Sequence, residues 1–200
     1  MDPYLIDGTD VLRNKLGLND QAKLDQAEAD ILFFRFFSVD NAVAKLPFGF
    51  LRLLAIHKHI LGDIYDWAGS VRTISIVKGE LILGGDTVRY SQDNCIKPEA
   101  EKIISDMNRV KWSELNIHET AERFSKLTAT LWQVHPFREG NNRTTIGFAT
   151  QFAEAHGFPM NKAILKDNEY LRQALVKASD GQYSVHDYLV KIFEEAIRRW

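Results

Sequence analysis

Apolar positions recur at helical spacing along most of the chain. The stripe Leu53, His57, Ile60, Ile64 predicts a helix over about residues 48–67, stopped by Gly69. A second stripe, Ile117, Ala121, Phe124, Thr128, Leu131, predicts one over about 118–132. A third, Val185, Leu189, Ile192, Ala196, predicts a closing helix over about 184–200. Asn19-Asp20 offers a cap for a first helix over about 21–37, and further helices are expected at about 98–110 and 167–179. Residues 141–156 carry only Arg143 and Glu154 as charges. A helix apolar nearly all round belongs in the middle of a bundle.

One stretch breaks this pattern. Val71 to Val77 (VRTISIV) is rich in β-branched residues, Lys78-Gly79-Glu80 resembles a turn, and Leu81-Ile82-Leu83 a second short strand. The expectation is a lone β-hairpin flap in a mainly α fold. By itself the pattern favours a structural cover over the core; an exposed strand edge for a partner's extended segment is the functional alternative.

With no repeats, low-complexity tracts or long linkers, one domain over 1–200 is expected. Its core would span about 48–180, with an N-terminal helical segment over 1–47 and the C-terminal helix over 184–200. A net charge of -2 and a pI near 6.3 argue against nucleic-acid binding by bulk charge. The single cysteine, Cys95, excludes an internal disulfide and suits a reducing compartment. Neither a signal peptide nor a membrane span is legible, so a cytoplasmic protein is expected; export by a specialised machine would leave no mark here.

Several signals carry little. His118-Glu119-Thr120-Ala121-Glu122 lacks the second histidine of a zinc HExxH motif and reads as a first helical turn. His57 and His59 are two apart on a helix and cannot share a metal; His57 reads as a satisfied core histidine. Phe33, Phe34, Phe36 and Phe37 read as core or a contact surface, and neither a P-loop nor a GxGxxG fingerprint is present.

The chemistry concentrates in His135-Pro136-Phe137-Arg138-Glu139-Gly140-Asn141-Asn142-Arg143. A loop entering a helix N-terminus is an anion site, because the first N–H groups have no partner within the helix and the dipole adds positive potential. Gly140, Asn141 and Asn142 tolerate the left-handed backbone that builds a nest of N–H groups. Arg143 adds a fork of donors for phosphate oxygens. Glu139 would repel a phosphate unless Mg²⁺ bridged them, and Mg²⁺ takes one or two carboxylates plus phosphate oxygens. His135 suits removal of a proton from a hydroxyl at neutral pH. Together these residues point to phosphate transfer.

The same loop resembles the Fic-domain signature HxFx(D/E)GNGR, often followed by xxR. The likeness extends to Gly8-Thr9-Asp10-Val11-Leu12-Arg13-Asn14-Lys15-Leu16-Gly17, to Ile56-His57 through Asp66-Trp67-Ala68-Gly69, and to Val71-Arg72-Thr73 with Lys78-Gly79. The resemblance implies a helical Fic fold with a functional hairpin flap. It also implies a protein adenylyltransferase, which moves AMP from ATP to a Ser, Thr or Tyr hydroxyl of a target protein. On that resemblance His135 is the base, Glu139 holds Mg²⁺, and Gly140, Asn141, Asn142 and Arg143 form the anion hole. Phe137 anchors the loop, and Lys78 and Gly79 hold the target segment.

Two positions depart from the pattern: Asn142 replaces the second glycine, and Ile146 the second arginine, which in the family binds the distal phosphates. No inhibitory (S/T)xxxE(G/N) motif occurs, so control would fall to a separate antitoxin-like protein or be needless. Two alternatives follow. One is transfer of another phosphate-containing group, as in the Doc branch, whose loop carries Ala-Asn-Lys-Arg where this chain has Gly140-Asn141-Asn142-Arg143. The other is a Fic module that binds without catalysis.

Overall fold

The computed structural model describes residues 2–166 and 168–198. Seven α-helices are present among them: α1 (Gln21–Val43), α2 (Phe50–Leu61), α3 (Ile96–Arg109), α4 (Ile117–Val134), α5 (Asn141–Ala155), α6 (Asn168–Ala178) and α7 (Asp187–Ala196). The architecture is mainly helical, as the periodicity predicts. Asp20 caps α1, its carboxylate accepting from the Lys23 N–H at 3.0 Å. At α4, the Asn116 side chain accepts from the Glu119 N–H and the Glu119 side chain from the Asn116 N–H. The rejected zinc motif is thus a capping box.

Helix α4 packs against α3, α5, α6 and α7, while α5 lies between α2 and α4, and α1 lies along α2. The apolar α5 is internal as expected, yet α4 touches more of the other helices. An aromatic cluster of Trp112, Phe124, Phe152, Phe158 and Phe193 fills the space among α4, α5 and α7. Buried aromatics of this kind supply much of the apolar area removed from water.

The structure corrects several expectations. Helix α1 runs on to Val43, beyond the predicted end near 37. Helix α2 stops at Leu61, not Trp67; Ile64, Tyr65 and Ala68 remain buried on tight turns, so the apolar stripe outlives the helix. The β-hairpin is not formed: no strand occurs among the described residues, and the expected hairpin is reduced to an isolated antiparallel bridge between Gly79 and Thr87. Leu81–Leu83 closes into a 3-10 turn. The physical reason lies in Arg72, whose guanidinium takes the Ile74 carbonyl at 2.5 Å and the Ser91 carbonyl, acceptors that a neighbouring strand would otherwise use.

At the C-terminal end, α7 begins at Asp187 rather than 184. The expected start of α6 at Asp167 and the last expected residues, 199–200, lie outside the described residues. No described helix is long and apolar enough to cross a membrane.

Candidate active site

The loop between α4 and α5 is held by side chains from distant parts of the chain. Helix α4 ends as His135 enters the left-handed region (φ 50°, ψ 59°), the only non-glycine residue to do so among those described. That backbone costs a residue with a Cβ roughly 1–2 kcal/mol. Arg72 holds it: its Nε donates to the His135 carbonyl at 2.8 Å, and its backbone N–H to the Pro136 carbonyl at 2.9 Å. Arg72 is itself only 2 % exposed.

Phe137 is fully buried, and the Asn141 side chain staples its backbone. The Phe137 N–H donates to Asn141 Oδ1 at 2.8 Å, and Asn141 Nδ2 donates to the Phe137 carbonyl at 2.7 Å. The Phe137 ring lies flat on the His57 imidazole, centroids 3.7 Å apart. His57 Nδ1 accepts from the Gly69 N–H at 2.7 Å, so Nε2 carries the proton and donates to the Glu139 carbonyl at 3.0 Å. Burial lowers the His57 pKa to about 4, against the pull of the Glu139 carbonyl, which keeps this tautomer neutral. Gly140 (φ 79°) then opens α5; a Cβ there would overlap Leu61 Cδ1.

Within this frame the His135 imidazole is buried between Tyr90, with ring centroids 4.0 Å apart, and the edge of Trp132. Neither ring nitrogen has a hydrogen-bond partner among the described residues. Burial pushes its pKa well below the ordinary histidine value, and the charges of Lys78, Arg72 and Arg172 push the same way. It is therefore a neutral base at physiological pH. An orphaned polar pair is costly inside a protein and marks a group awaiting a partner.

Glu139 lies beside it at the mouth of α5. Burial raises its pKa, but Lys78, the Gly140 N–H and Arg143 outweigh that and hold the carboxyl below its usual range. Its Oε1 accepts from Gly140 N–H at 3.0 Å, and its Oε2 faces Lys78 Nζ at 3.5 Å. Arg143 projects from the first turn of α5 and donates to Glu28 at 3.3 Å. The chain is acidic overall, but Lys78, Arg72, Arg143 and Arg172 cluster here. Together with the helix N-terminus they make a local anion site.

The expected site residues thus converge, though with different tasks from those the residue types suggested. The Asn141 side chain is committed to Phe137, leaving only its backbone for an anion. Asn142 Oδ1 is buried without a partner among the described residues, on the first turn of α5. Lys78 reaches the Glu139 carboxylate, while Gly79 forms the bridge to Thr87. Ile146 packs against the core. No group of three or more His, Cys, Asp or Glu among the described residues is placed to hold a metal; Glu139 supplies a single carboxylate at the mouth of α5.

Sequence reasoning missed Arg72, Glu28, Tyr65, Tyr90 and the Glu80–Arg172 pair. One signal was available: Arg72 is a lone charge inside the apolar run 71–77.

Comparison with known proteins agrees with this geometry. The sequence profile of the Fic/DOC family matches residues 48–153. Protein adenylyltransferase VbhT of Bartonella schoenbuchensis is 30 % identical over 175 residues, 87 % of this chain and 35 % of VbhT, so the chain spans about a third of that protein. The probable protein adenylyltransferase y4lH of Sinorhizobium fredii is 31 % identical over 187 residues, 90 % of this chain and 89 % of that one. The structure of BepC from Bartonella tribocorum, with bound AMPPNP, superposes with a TM-score of 0.79 at 23 % identity, covering 98 % of this chain and 97 % of the chain in that structure. The chain belongs to the Fic/DOC family.

Proposed function

We propose that this protein is an adenylyltransferase that moves AMP from ATP to a Ser, Thr or Tyr hydroxyl of a target protein. The observation that carries the reading is the buried, neutral His135, whose two ring nitrogens have no partner among the described residues, on the loop that leads through Glu139 into the N-terminus of α5. The relatives named as protein adenylyltransferases support it.

In the reaction the target hydroxyl attacks the α-phosphorus while its proton passes to His135. The bond from that phosphorus to the bridging oxygen breaks, and pyrophosphate leaves. His135 needs no deprotonation first, because burial keeps it neutral. The N–H groups at the start of α5, together with Arg143, face the phosphates and stabilise the charge that develops on them. Glu139 would hold a nucleotide-borne Mg²⁺, which supplies further charge at the phosphates. Lys78, which reaches Glu139 from the segment 78–87, and Gly79 would guide the target segment across the site. The single cysteine fits work in a reducing, cytoplasmic compartment. A separate antitoxin-like inhibitor would fit the missing inhibitory motif.

A second reading concerns the donor. Ile146 packs against the core where the family's distal-phosphate arginine stands, which favours a donor held less by its outer phosphates. UMP or phosphate transfer is the corresponding alternative.

The test incubates protein, Mg²⁺ and cell lysate with each nucleotide triphosphate, beside His135→Ala, and follows hydroxyl adducts by mass spectrometry. A His135-dependent AMP adduct is expected, with a loss of about 10²–10⁴-fold in the variant and nucleotide binding retained. Equal transfer by both proteins would remove His135 as the base. A different adduct would change the donor.

A further inference from the structure

We infer that Glu28, on α1, is a positioning residue for the anion-binding arginine, so that α1 is a working part of the site rather than a brace. The inference rests on the nucleotide-transfer reading above and deepens it.

Glu28 occurs in the run Gln26-Ala27-Glu28-Ala29-Asp30, which has the look of a solvated helical face. It is instead only 7 % exposed. A buried carboxylate is tolerated only when partners satisfy it. One oxygen, Oε1, accepts from the Tyr65 hydroxyl. The other, Oε2, accepts from Arg143 at 3.3 Å. Tyr65 is an immobile anchor, because it is fully buried and its ring stacks on Trp67 with centroids 4.4 Å apart. Burial and the adjoining Glu28 keep its hydroxyl protonated, so it acts as a donor.

The result is a chain of three groups, Tyr65 to Glu28 to Arg143, running from the core to the mouth of α5. An arginine side chain has many rotamers, and fixing one before the ligand arrives lowers the entropy lost on binding. Only one terminal nitrogen of Arg143 donates to Glu28. The fork has five N–H donors, so Nε and the other terminal nitrogen can take phosphate oxygens. Glu28 therefore aims the guanidinium without consuming it. It lies outside residues 48–153, where the family profile matches.

The experiment uses the full chain and Glu28→Gln, with Tyr65→Phe as a milder second variant should the first not fold. The first readout is ¹⁵N relaxation of the Arg143 Nε–H in the protein without nucleotide, assigned with Arg143→Lys. The second is the Kd for Mg²⁺-ATP by calorimetry, in wild type and in the Arg143→Met background. The expected result is a mobile Arg143 in Glu28→Gln and a Kd raised about 10-fold. No further Kd loss should appear in Arg143→Met. An Arg143 signal as ordered as wild type would overturn the inference. So would a Kd loss that persists in Arg143→Met, or tighter binding by Glu28→Gln. If wild type binds no nucleotide while Arg143 still loosens in Glu28→Gln, positioning stands and the donor reading falls. If ATP binds and Arg143 does not loosen, the donor reading stands and positioning falls.

Discussion

The loop 135–143 and the segment 78–87 face each other across the same site, and they are built on opposite lines. The loop is tied at nearly every residue. Arg72 holds the His135 and Pro136 carbonyls, Asn141 brackets Phe137, Arg138 pairs with Asp2 at 2.8 Å, and His57 takes the Glu139 carbonyl. The opposing segment has one isolated bridge and leaves Leu81 97 % exposed, and Val77 just before it is 79 % exposed. A group that must meet a reacting atom to within a fraction of an ångström needs such over-determination. A surface that accepts a partner's chain needs free backbone instead.

Breaking the loop should cost most, and Arg72 is its keystone. Arg72→Met removes three side-chain donors and leaves the His135, Ile74 and Ser91 carbonyls short of partners. Each hydrogen bond to a charged group is worth about 1.5–3 kcal/mol, so the variant should lose at least about 3 kcal/mol of stability. Its surviving folded fraction should transfer more than about 100-fold more slowly, since His135 is released from its left-handed backbone. Urea unfolding and single-turnover rates, corrected for the folded fraction, would measure both. A stable variant with wild-type turnover would show that α4 alone sets the His135 geometry.

These contacts explain what was legible beforehand. The reactive groups are consecutive in the chain, so their chemistry could be read from residue order alone. The helices announced themselves through apolar period and through caps such as Asp20. The supports could not be read in the same way, because they join residues 63 apart (Arg72 and His135), 82 apart (His57 and Glu139) and 115 apart (Glu28 and Arg143). Periodicity carries no information across such separations. His57 was read correctly as a satisfied core histidine, but which carbonyl it satisfies depends on the tertiary fold. The β-hairpin failed for a related reason. A β-branched run predicts a strand only where a neighbour takes its backbone groups, and here the Arg72 guanidinium takes the Ile74 carbonyl.

A pH experiment sharpens the loop side of the comparison. His57 has a folded pKa of about 4 against an ordinary 6.5. Between these values the unfolded chain binds a proton that the folded protein does not, so stability falls as pH drops from about 6.5 to 4. The gap corresponds to about 3 kcal/mol at 1.36 kcal/mol per pH unit. His135 works in the same direction, so wild type should lose more than that. His57→Gln keeps an N–H for the Glu139 carbonyl but has no titrating ring. It should start less stable at pH 7 and lose about 3 kcal/mol less than wild type by pH 4. Parallel stability curves would mean that His57 does not remain neutral in the folded state.

The smallest effect should come from the opposite side of the site, and its selectivity matters more than its size. The segment 78–87 is tied to α6 by Glu80, only 4 % exposed, whose Oε2 takes both terminal nitrogens of Arg172 at 2.7 and 2.8 Å. Glu80→Gln keeps the shape and removes the charge that makes those bonds strong. The loop has its own supports, so nucleotide affinity and turnover at saturating target should change less than about twofold, within about 0.4 kcal/mol. If this segment guides the target as proposed, the KM for the target protein should rise about 5- to 10-fold when its anchor is lost. Steady-state kinetics with target varied at saturating ATP, beside calorimetry with ATP alone, separates the two effects. If ATP affinity falls as far as target KM rises, Glu80 and Arg172 support the anion site through Lys78 and Glu139. The two faces would then form one unit, and the contrast between a fixed loop and an open edge would collapse.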